Sequence, residues 1–548
     1  HLLVIMTTAR YDRQIRLWGE EGQTSIQETS VCVFGSSGVA TETLKNLVLA
    51  GIKVFHIVDD VLVSESDLGR NFFVTQRDLG LPRAQVVASY LMELNSNVSG
   101  SFTITSPLKF PIEKLLDFSI VISTILTRGE LMSISEFLFE KDVPLIDARV
   151  CGLFGYFRHS FKVHTVYHTH NEHPQPDLRL DRPFEGLLQM CADNNLDIMD
   201  REHHSHTPYA LVVLQALDLW RKKIGNPQAF PENYKQRKEI SEILMEMRIP
   251  DKRGLLDEDN FAEAKNAINR ILVKTTIPSN VKEVFNHDLC KIENLKKETA
   301  NWFWILATSL KIFAEEYGVL PVSGQLPDMT SDSERYAKLL NLYRTEAEKD
   351  AFKVHEIARN IIKHIYGEDS LEMIPYEQTK KFCKHAAFIA VQNGSSLKQE
   401  TEIGITPILE QITEVEPANP GTSPMKVSPL AWLVLLKARD NFYYGKKRFP
   451  GTNGVPQNID AEDLARRVDQ LFLDTRDTLL HMKTQATVPA EVINEICRYG
   501  AGEPHVISSI IGGIVSQEAI KLATHQYVSV DNTFVYDGHT QSAETIRL

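Results

Sequence analysis

The sequence predicts an α/β fold, a doubly wound parallel sheet built from both ends of the chain and interrupted by a large, mainly helical insertion. Three observations carry this. Residues 1–165 alternate short apolar runs with amphipathic segments, the pattern of buried parallel strands joined by crossover helices. From about 206 to 385 the apolar residues recur at a helical period instead. After about 485 the α/β patterning returns. The expected domains are 1–165 plus 486–548 for the sheet and 166–485 for the insertion.

Residues 31–34 read as the first strand, followed at once by the small-residue turn Gly35-Ser36-Ser37-Gly38-Val39-Ala40. A helix follows over 41–50, with Leu44, Leu47 and Val48 on one face. The strand Val54–Val58 ends in Asp59-Asp60. The order continues with a helix at Arg83–Leu94, strands at 102–104 and 120–125, a helix at 131–141 and a strand at 143–147. In the middle, Tyr209–Ile224, 301–317 and 333–365 each carry an apolar stripe. Linker-like composition covers 415–429, and a second irregular stretch covers 449–457. Segments 491–499 and 507–524 read as helices, and 526–536 alternates as strands do.

Composition narrows the function. Hydrophobic residues make up 43%, ordinary for a globular chain. Lys+Arg 59 against Asp+Glu 72 gives −13, which argues against a nucleic-acid partner, because neutralising phosphates needs clustered cations. The six cysteines, at 32, 151, 191, 290, 383 and 497, form no CxxC pair, which excludes a zinc ribbon and a disulfide scaffold. A reducing compartment follows, cytosolic or nuclear. The apolar stretch 506–515 falls short of the ~20 residues a bilayer span needs, so no membrane is expected. The residues before Met6 lack the basic flank of a signal peptide, and a start at Met6 is expected.

A strand, a glycine turn, a helix and an acid after the next strand make a Rossmann-like nucleotide fingerprint. Its glycines let the backbone approach phosphates at a helix N-terminus, where amides favour anions. Asp59 stands 24 residues after Gly35, placed to hold ribose hydroxyls. Ser37 and Ala40 replace the second and third glycines of the template. On this motif alone, a bound nucleotide and a purely structural turn both stay open.

The segment Arg10-Tyr11-Asp12-Arg13-Gln14-Ile15-Arg16-Leu17-Trp18-Gly19, with Gly22-Gln23, resembles the opening of the ubiquitin-activating enzyme superfamily. The resemblance implies a ThiF/MoeB-type sheet. It also implies a chemistry: ATP·Mg adenylates the C-terminal glycine of a ubiquitin-like modifier, which passes to an enzyme cysteine as a thioester and then to a conjugating enzyme. Eukaryotic members pair an active and an inactive adenylation half. Leu94-Asn95-Ser96, Leu178-Arg179-Leu180-Asp181-Arg182-Pro183-Phe184, His204-Ser205-His206-Thr207-Pro208, Arg448-Phe449-Pro450-Gly451 and Cys497-Arg498-Tyr499-Gly500-Ala501 resemble one branch, the regulatory subunits of the neddylation-activating enzyme. That match runs along nearly the whole chain. It implies a non-catalytic subunit whose partners are the catalytic subunit, the ubiquitin-like modifier and, through the complex, a conjugating enzyme. ATP and magnesium would sit at the catalytic subunit.

Departures from an active half point the same way. Active members carry a full glycine set, a second acid after the ribose Asp, an Asn-x-x-Arg-Gln segment, a phosphate-touching Lys and a magnesium-binding Asp. Here Ser37 and Ala40 replace glycines, Val61 the second acid, Asp67 the Asn and Arg83 the Lys, and no acid occurs in 122–127 around Thr127. Gly35, Gly38, Asp59 and Arg70 survive. The expected result is a degenerate pocket formed by Gly35, Ser37, Gly38, Ala40, Asp59, Asp67, Arg70, Arg83 and Thr127, with no cofactor, metal or catalytic residue in this chain. Magnesium prefers carboxylate and phosphate oxygens, and a carboxylate at Asp67 facing the pocket would repel phosphates. None of the cysteines stands in the family's Pro-x-Cys-Thr setting, so each is expected to be a small buried hydrophobe. In the family, the Arg corresponding to Arg13 reaches across the dimer to the partner's ATP. Arg16 is a second candidate, and a surface salt bridge is the plain alternative for both.

The run Glu202–His206 fits no zinc spacing and reads as a cap and crossover. Trp302, Phe303 and Trp304 read as core, and 251–263 as a solvated helix entrance. The rival functions are the inactive subunit of the SUMO-activating enzyme, a shorter family, and a nicotinamide-dependent oxidoreductase, against which the opening motif argues. A scaffold for unrelated partners is a third.

Overall fold

A computed structural model describes residues 10–167, 169, 177–408, 428–473, 488 and 490–548. The chain divides into two compact units, His1–Thr165 with Gln392–Leu548, and Val166–Val391. The return point corrects the sequence expectation: the sheet unit takes up the chain again at Gln392 rather than at 486. Helical periodicity shows that a helix has an apolar face but not which core that face meets. Here Trp432, Leu435 and Leu464 join Phe154, Tyr156 and Val535 of the sheet in one buried cluster. The expected linker at 415–429 lies, up to residue 427, outside the described residues.

The strands are β1 (Ser30–Phe34), β2 (Val54–Val58), β3 (Ser99–Thr103), β4 (Ile120–Ser123), β5 (Leu145–Cys151), β6 (Phe154–Ser160), β7 (Val163–Val166), β8 (Ala390–Asn393), β9 (Thr533–Asp537) and β10 (Ser542–Ile546). Eight form one sheet in the order β10-β9-β6-β5-β4-β1-β2-β3, while β7 and β8 pair separately. The run from β3 to β5 is parallel. Strands β6, β9 and β10 continue it antiparallel, so the parallel sheet read from the first 165 residues extends from β3 to β5 and the sheet as a whole is mixed. Every residue of β6 is buried. Its sequence, Phe-Gly-Tyr-Phe-Arg-His-Ser, shows neither an apolar run nor clean alternation, so periodicity passes over it. The stretch 526–536 contributes a strand only from Thr533 onward.

The helices of this unit are α1 (Asp12–Glu28), α2 (Gly38–Ala50), α3 (Arg83–Leu94), α4 (Arg128–Glu140), α5 (Pro429–Lys446), α6 (Gln457–Leu473), α7 (Ala490–Tyr499) and α8 (His505–Thr524). Helices α2, α4 and α8 begin two or three residues before the apolar spacing suggests. Helix α1 is kinked at Gly19, where φ is +72°. Helix α8 packs on α2, α1, β5 and β6. By length and composition α8 could cross a membrane, which the short stretch 506–515 does not convey. Its Ile507, Ile511, Val515 and Ala519 are buried in the sheet core.

The second unit is mainly helical. Helices Tyr209–Ile224, Asp259–Ile271 and Ser333–Tyr366 surround a core containing Trp220, Phe261, Leu339 and Tyr343. Phe303 and Trp304 on helix Trp302–Tyr317 are buried, and Trp302 is half-buried. The histidine run forms the helix Arg201–Ser205, whose His203 amide donates to the Asp200 carboxylate at 2.9 Å. His204 is buried, its Nδ1 2.7 Å from Glu258 and its ring stacked on Phe261. No group of three potential metal ligands occurs among the described residues.

Candidate functional site

After β1 the chain turns through Gly35, whose φ is +100° and where a Cβ would lie 2.5 Å from the Ile125 side chain. Ser37 precedes the first turn of α2 without capping it through its hydroxyl. Asn71 Nδ2 donates to the Ser36 carbonyl at 3.0 Å and fixes the turn from the side. At Gly38 a Cβ would come within 2.7 Å of the Arg70 carbonyl oxygen, so the glycine admits the strap that carries Asp67 and Arg70. Ser36, Ser37, Ala40 and Asp59 are all buried.

Asp59 is fully engaged by its own chain. Its Oδ1 accepts from the Val61 amide at 3.0 Å. Its Oδ2 accepts from the Ser36 amide at 3.0 Å, from the Ser36 hydroxyl, and from Arg83 Nε and Nη2 at 3.2 and 2.9 Å. Arg83 reaches on with Nη1 to Asp67 Oδ1 at 3.0 Å, and that oxygen also accepts from Arg70 Nη2 at 3.0 Å. Asp67 Oδ2 accepts from the Ser64 amide and hydroxyl at 2.9 and 2.8 Å. The four side chains form a charge-balanced ladder, Asp59–Arg83–Asp67–Arg70, through the middle of the expected pocket. Burial works against the charged form of Asp67, but the Ser64 amide, Arg83 and Arg70 outweigh it and hold its pKa below the ordinary value. Burial likewise opposes the Arg83 charge, and Asp59 and Asp67 overcome it, raising its pKa. Asp67 therefore meets cations where the sequence reading allowed it to confront phosphate. The gain of Asp67 and the Lys-to-Arg change at 83 compensate each other, a signal the sequence contains but that reads as two separate losses.

Thr127 stands at the start of α4 in a capping box: its amide and hydroxyl donate to Glu130 Oε2 at 2.9 and 2.7 Å. Thr127 thus stands where the resemblance implies a metal-binding carboxylate, and the neighbouring Glu130 carboxylate is taken up by its amide and hydroxyl. With Asp59 engaged at both oxygens and no acid at Thr127, these residues do not fit a nucleotide with its magnesium ion.

All six thiols are held above the ordinary range by burial, Cys191 to about 11 and Cys497 to about 12. Such thiols stay protonated at neutral pH and make poor nucleophiles. Arg13 lies apart from the pocket on the first leg of α1, exposed and without a hydrogen bond or ion pair among the described residues. Arg16 pairs with Asp12 at 3.1 Å, both well exposed, an interaction of little energetic consequence. In the second unit a cleft of about 1050 Å³ is lined by His203, Arg335 and Lys338 among others. Its two permanent cations are already paired, with Asp332 and Glu334, and it holds His206 of the histidine motif but none of the expected pocket residues.

Residues 11–548 match the ThiF family. The chain is 42% identical over 548 residues to the NEDD8-activating enzyme E1 regulatory subunit of Caenorhabditis elegans, covering 98% of this chain and 99% of that one. It is 36% identical to the subunit of the same name from Danio rerio, covering 98% of each chain. It is 30% identical to the regulatory subunit AXR1 of Arabidopsis thaliana, covering 98% and 96%. A crystal structure of Escherichia coli MccB aligns with 27% of this chain and 44% of its own, at 18% identity and a TM-score of 0.25.

Proposed function

The chain belongs to the ThiF family and, within it, to the NEDD8-activating enzyme E1 regulatory subunits, and on that premise we propose that it is the non-catalytic half of a heterodimeric activating enzyme. Its partner, the catalytic subunit, holds ATP and magnesium, adenylates the C-terminal glycine of the modifier and receives it as a thioester. The complex then hands the modifier to a conjugating enzyme. The observation that carries the non-catalytic assignment is the Asp59–Arg83–Asp67–Arg70 ladder, which engages the ribose acid internally. The raised thiols support it from the side of thioester chemistry. Relatives of this name matching 98% of the chain favour this reading over the SUMO and oxidoreductase alternatives. The acidic net charge of −13 fits protein partners rather than nucleic acid, and cysteines without a CxxC pair fit the cytosol or nucleus. Arg13 is the group this subunit would lend to the partner's ATP, with Arg16 second.

The test is modifier-dependent ATP–pyrophosphate exchange by the isolated chain, by the catalytic subunit and by both together. The expected result is exchange with the pair and none with the isolated chain. Exchange or thioester formation by this chain without its partner would overturn the assignment.

A further inference from the structure

A helix leaves its last four carbonyls without donors from its own ladder. At the end of α2 the Leu47 carbonyl accepts from the Gly51 amide at 3.1 Å, and side-chain amides meet the other three. Asn95 Nδ2 donates to the Val48 carbonyl at 2.8 Å, Gln14 Nε2 reaches that of Leu49 at 3.5 Å, and Gln23 Nε2 donates to that of Ala50 at 3.0 Å. Gln14 and Gln23 lie on α1, one on each side of its break at Gly19, so both legs of α1 are registered on the end of α2. Tyr11, just before α1, completes the contact. It is buried, and its hydroxyl oxygen accepts from Asn95 Nδ2 at 2.8 Å. Its ring lies where Gly51, at φ +90°, has no side chain: a Cβ there would come within 2.5 Å of the Tyr11 oxygen. Beside it, Arg10 Nη2 donates to the Leu94 carbonyl at 2.9 Å. At the far end of the first leg Trp18 is buried, and its carbonyl accepts from Gln526 Nε2 at 2.5 Å. Arg13 stands exposed between these two anchors.

We propose that Tyr11 is a positioning residue: seated between Asn95 and Gly51, it fixes the first leg of α1 so that Arg13 is presented to the partner subunit in one orientation. This deepens the assignment of Arg13 above and rests on it. Tyr11 stands at the N-cap of α1 and makes no side-chain cap bond, so capping does not hold the first turn. What holds it is the seated ring and hydroxyl. Arg13 is two residues from Tyr11 and one from Gln14, so any shift of that turn carries the guanidinium with it. A group delivered to a distant phosphate acts only if its base is fixed beforehand; otherwise each approach costs ordering entropy and the geometry is missed.

Full-length variants are combined with the catalytic subunit, and modifier-dependent ATP–pyrophosphate exchange is measured over a range of ATP concentrations. Tyr11→Leu, which removes ring and hydroxyl, should lower kcat about three- to tenfold with the KM for ATP unchanged. Tyr11→Phe keeps the ring against Gly51 and should recover part of the loss. In an Arg13→Ala background Tyr11→Leu should cost nothing further, because its effect passes through Arg13. Co-elution with the catalytic subunit reports assembly. If Tyr11→Leu does not assemble, Tyr11→Phe carries the same cycle, with about a twofold loss expected for one hydrogen bond. An equal loss in both backgrounds, a raised KM alone, or an assembled variant with unchanged kcat overturns the proposal. Arg13→Ala without effect would instead sink the trans-arginine reading beneath it, so the two failures are distinguishable.

Discussion

Arg13 and Arg83 show how one residue type serves opposite ends at different depths. Arg83 is buried between two carboxylates and its charge is consumed internally. Arg13 is exposed on α1, with no hydrogen bond or ion pair among the described residues. A guanidinium supplied to a phosphate from outside is a planar, permanently charged donor that stabilises charge developing in the transition state. Arg13→Ala should leave heterodimer assembly intact and slow adenylation by on the order of 10–100-fold. Arg13→Lys should recover only part of that, because an ammonium lacks the bidentate fork. Equal losses in kcat and kcat/KM would mark a transition-state role, whereas a raised KM for ATP alone would mark ordinary binding. Unchanged exchange by an intact dimer would leave Arg13 a plain surface residue. The motif residues themselves were legible because their types and spacing are local.

At the scale of elements, the sheet unit depends on the crossing of α8 over α2. Gly512 sits at that crossing, where a Cβ would fall 2.6 Å from Glu42 Cβ and 2.9 Å from the Thr43 nitrogen. Backbone on one side and a buried side chain on the other leave little room to yield. Gly512→Ala should therefore destabilise the fold by about 1–3 kcal/mol, the usual range for overpacking, despite the better helix propensity of alanine. Gly513 faces open space. There, Gly513→Ala should be neutral or slightly stabilising, and thermal melting of the pair separates contact from propensity. Equal effects at the two positions would mean that the close crossing does not control stability. The helices were legible from their apolar period, whereas β6 was hidden by its mixed composition. Its burial comes from the neighbours β5 and β9, which lie close and far in sequence respectively.

At the scale of the molecule, the second unit is an insertion in the sheet unit rather than a link in a chain of domains. The Gly394 amide donates to the Lys162 carbonyl at 2.9 Å, so the points where the chain leaves and rejoins the sheet unit are neighbours within that unit. Replacing 166–391 with a short Gly-rich linker should thus leave 1–165 with 392–548 able to fold, since loop closure costs little over such a span. The expected result is a single cooperative unfolding transition with native-like near-ultraviolet dichroism. A molten product would mean that the inserted unit is needed to complete the core. By the same argument, a version that also removes 392–485 should fail, because it strips Trp432 and Leu464 from the cluster behind β6.

The sequence by itself determined the alternation of strands and helices, the glycine turn, the lost magnesium acid, the degenerate set of pocket residues and the resemblance to a regulatory subunit. Those properties reside in residue types at short, fixed spacings. Tertiary structure alone decided that β6, β9 and β10 run antiparallel, that 392–485 belongs with the sheet, and that Asp67 and Arg83 join in one ladder with Asp59. Each of these depends on which groups far apart in the chain are buried against one another. A buried charge must find its partner wherever the fold brings one, and no local pattern records that choice.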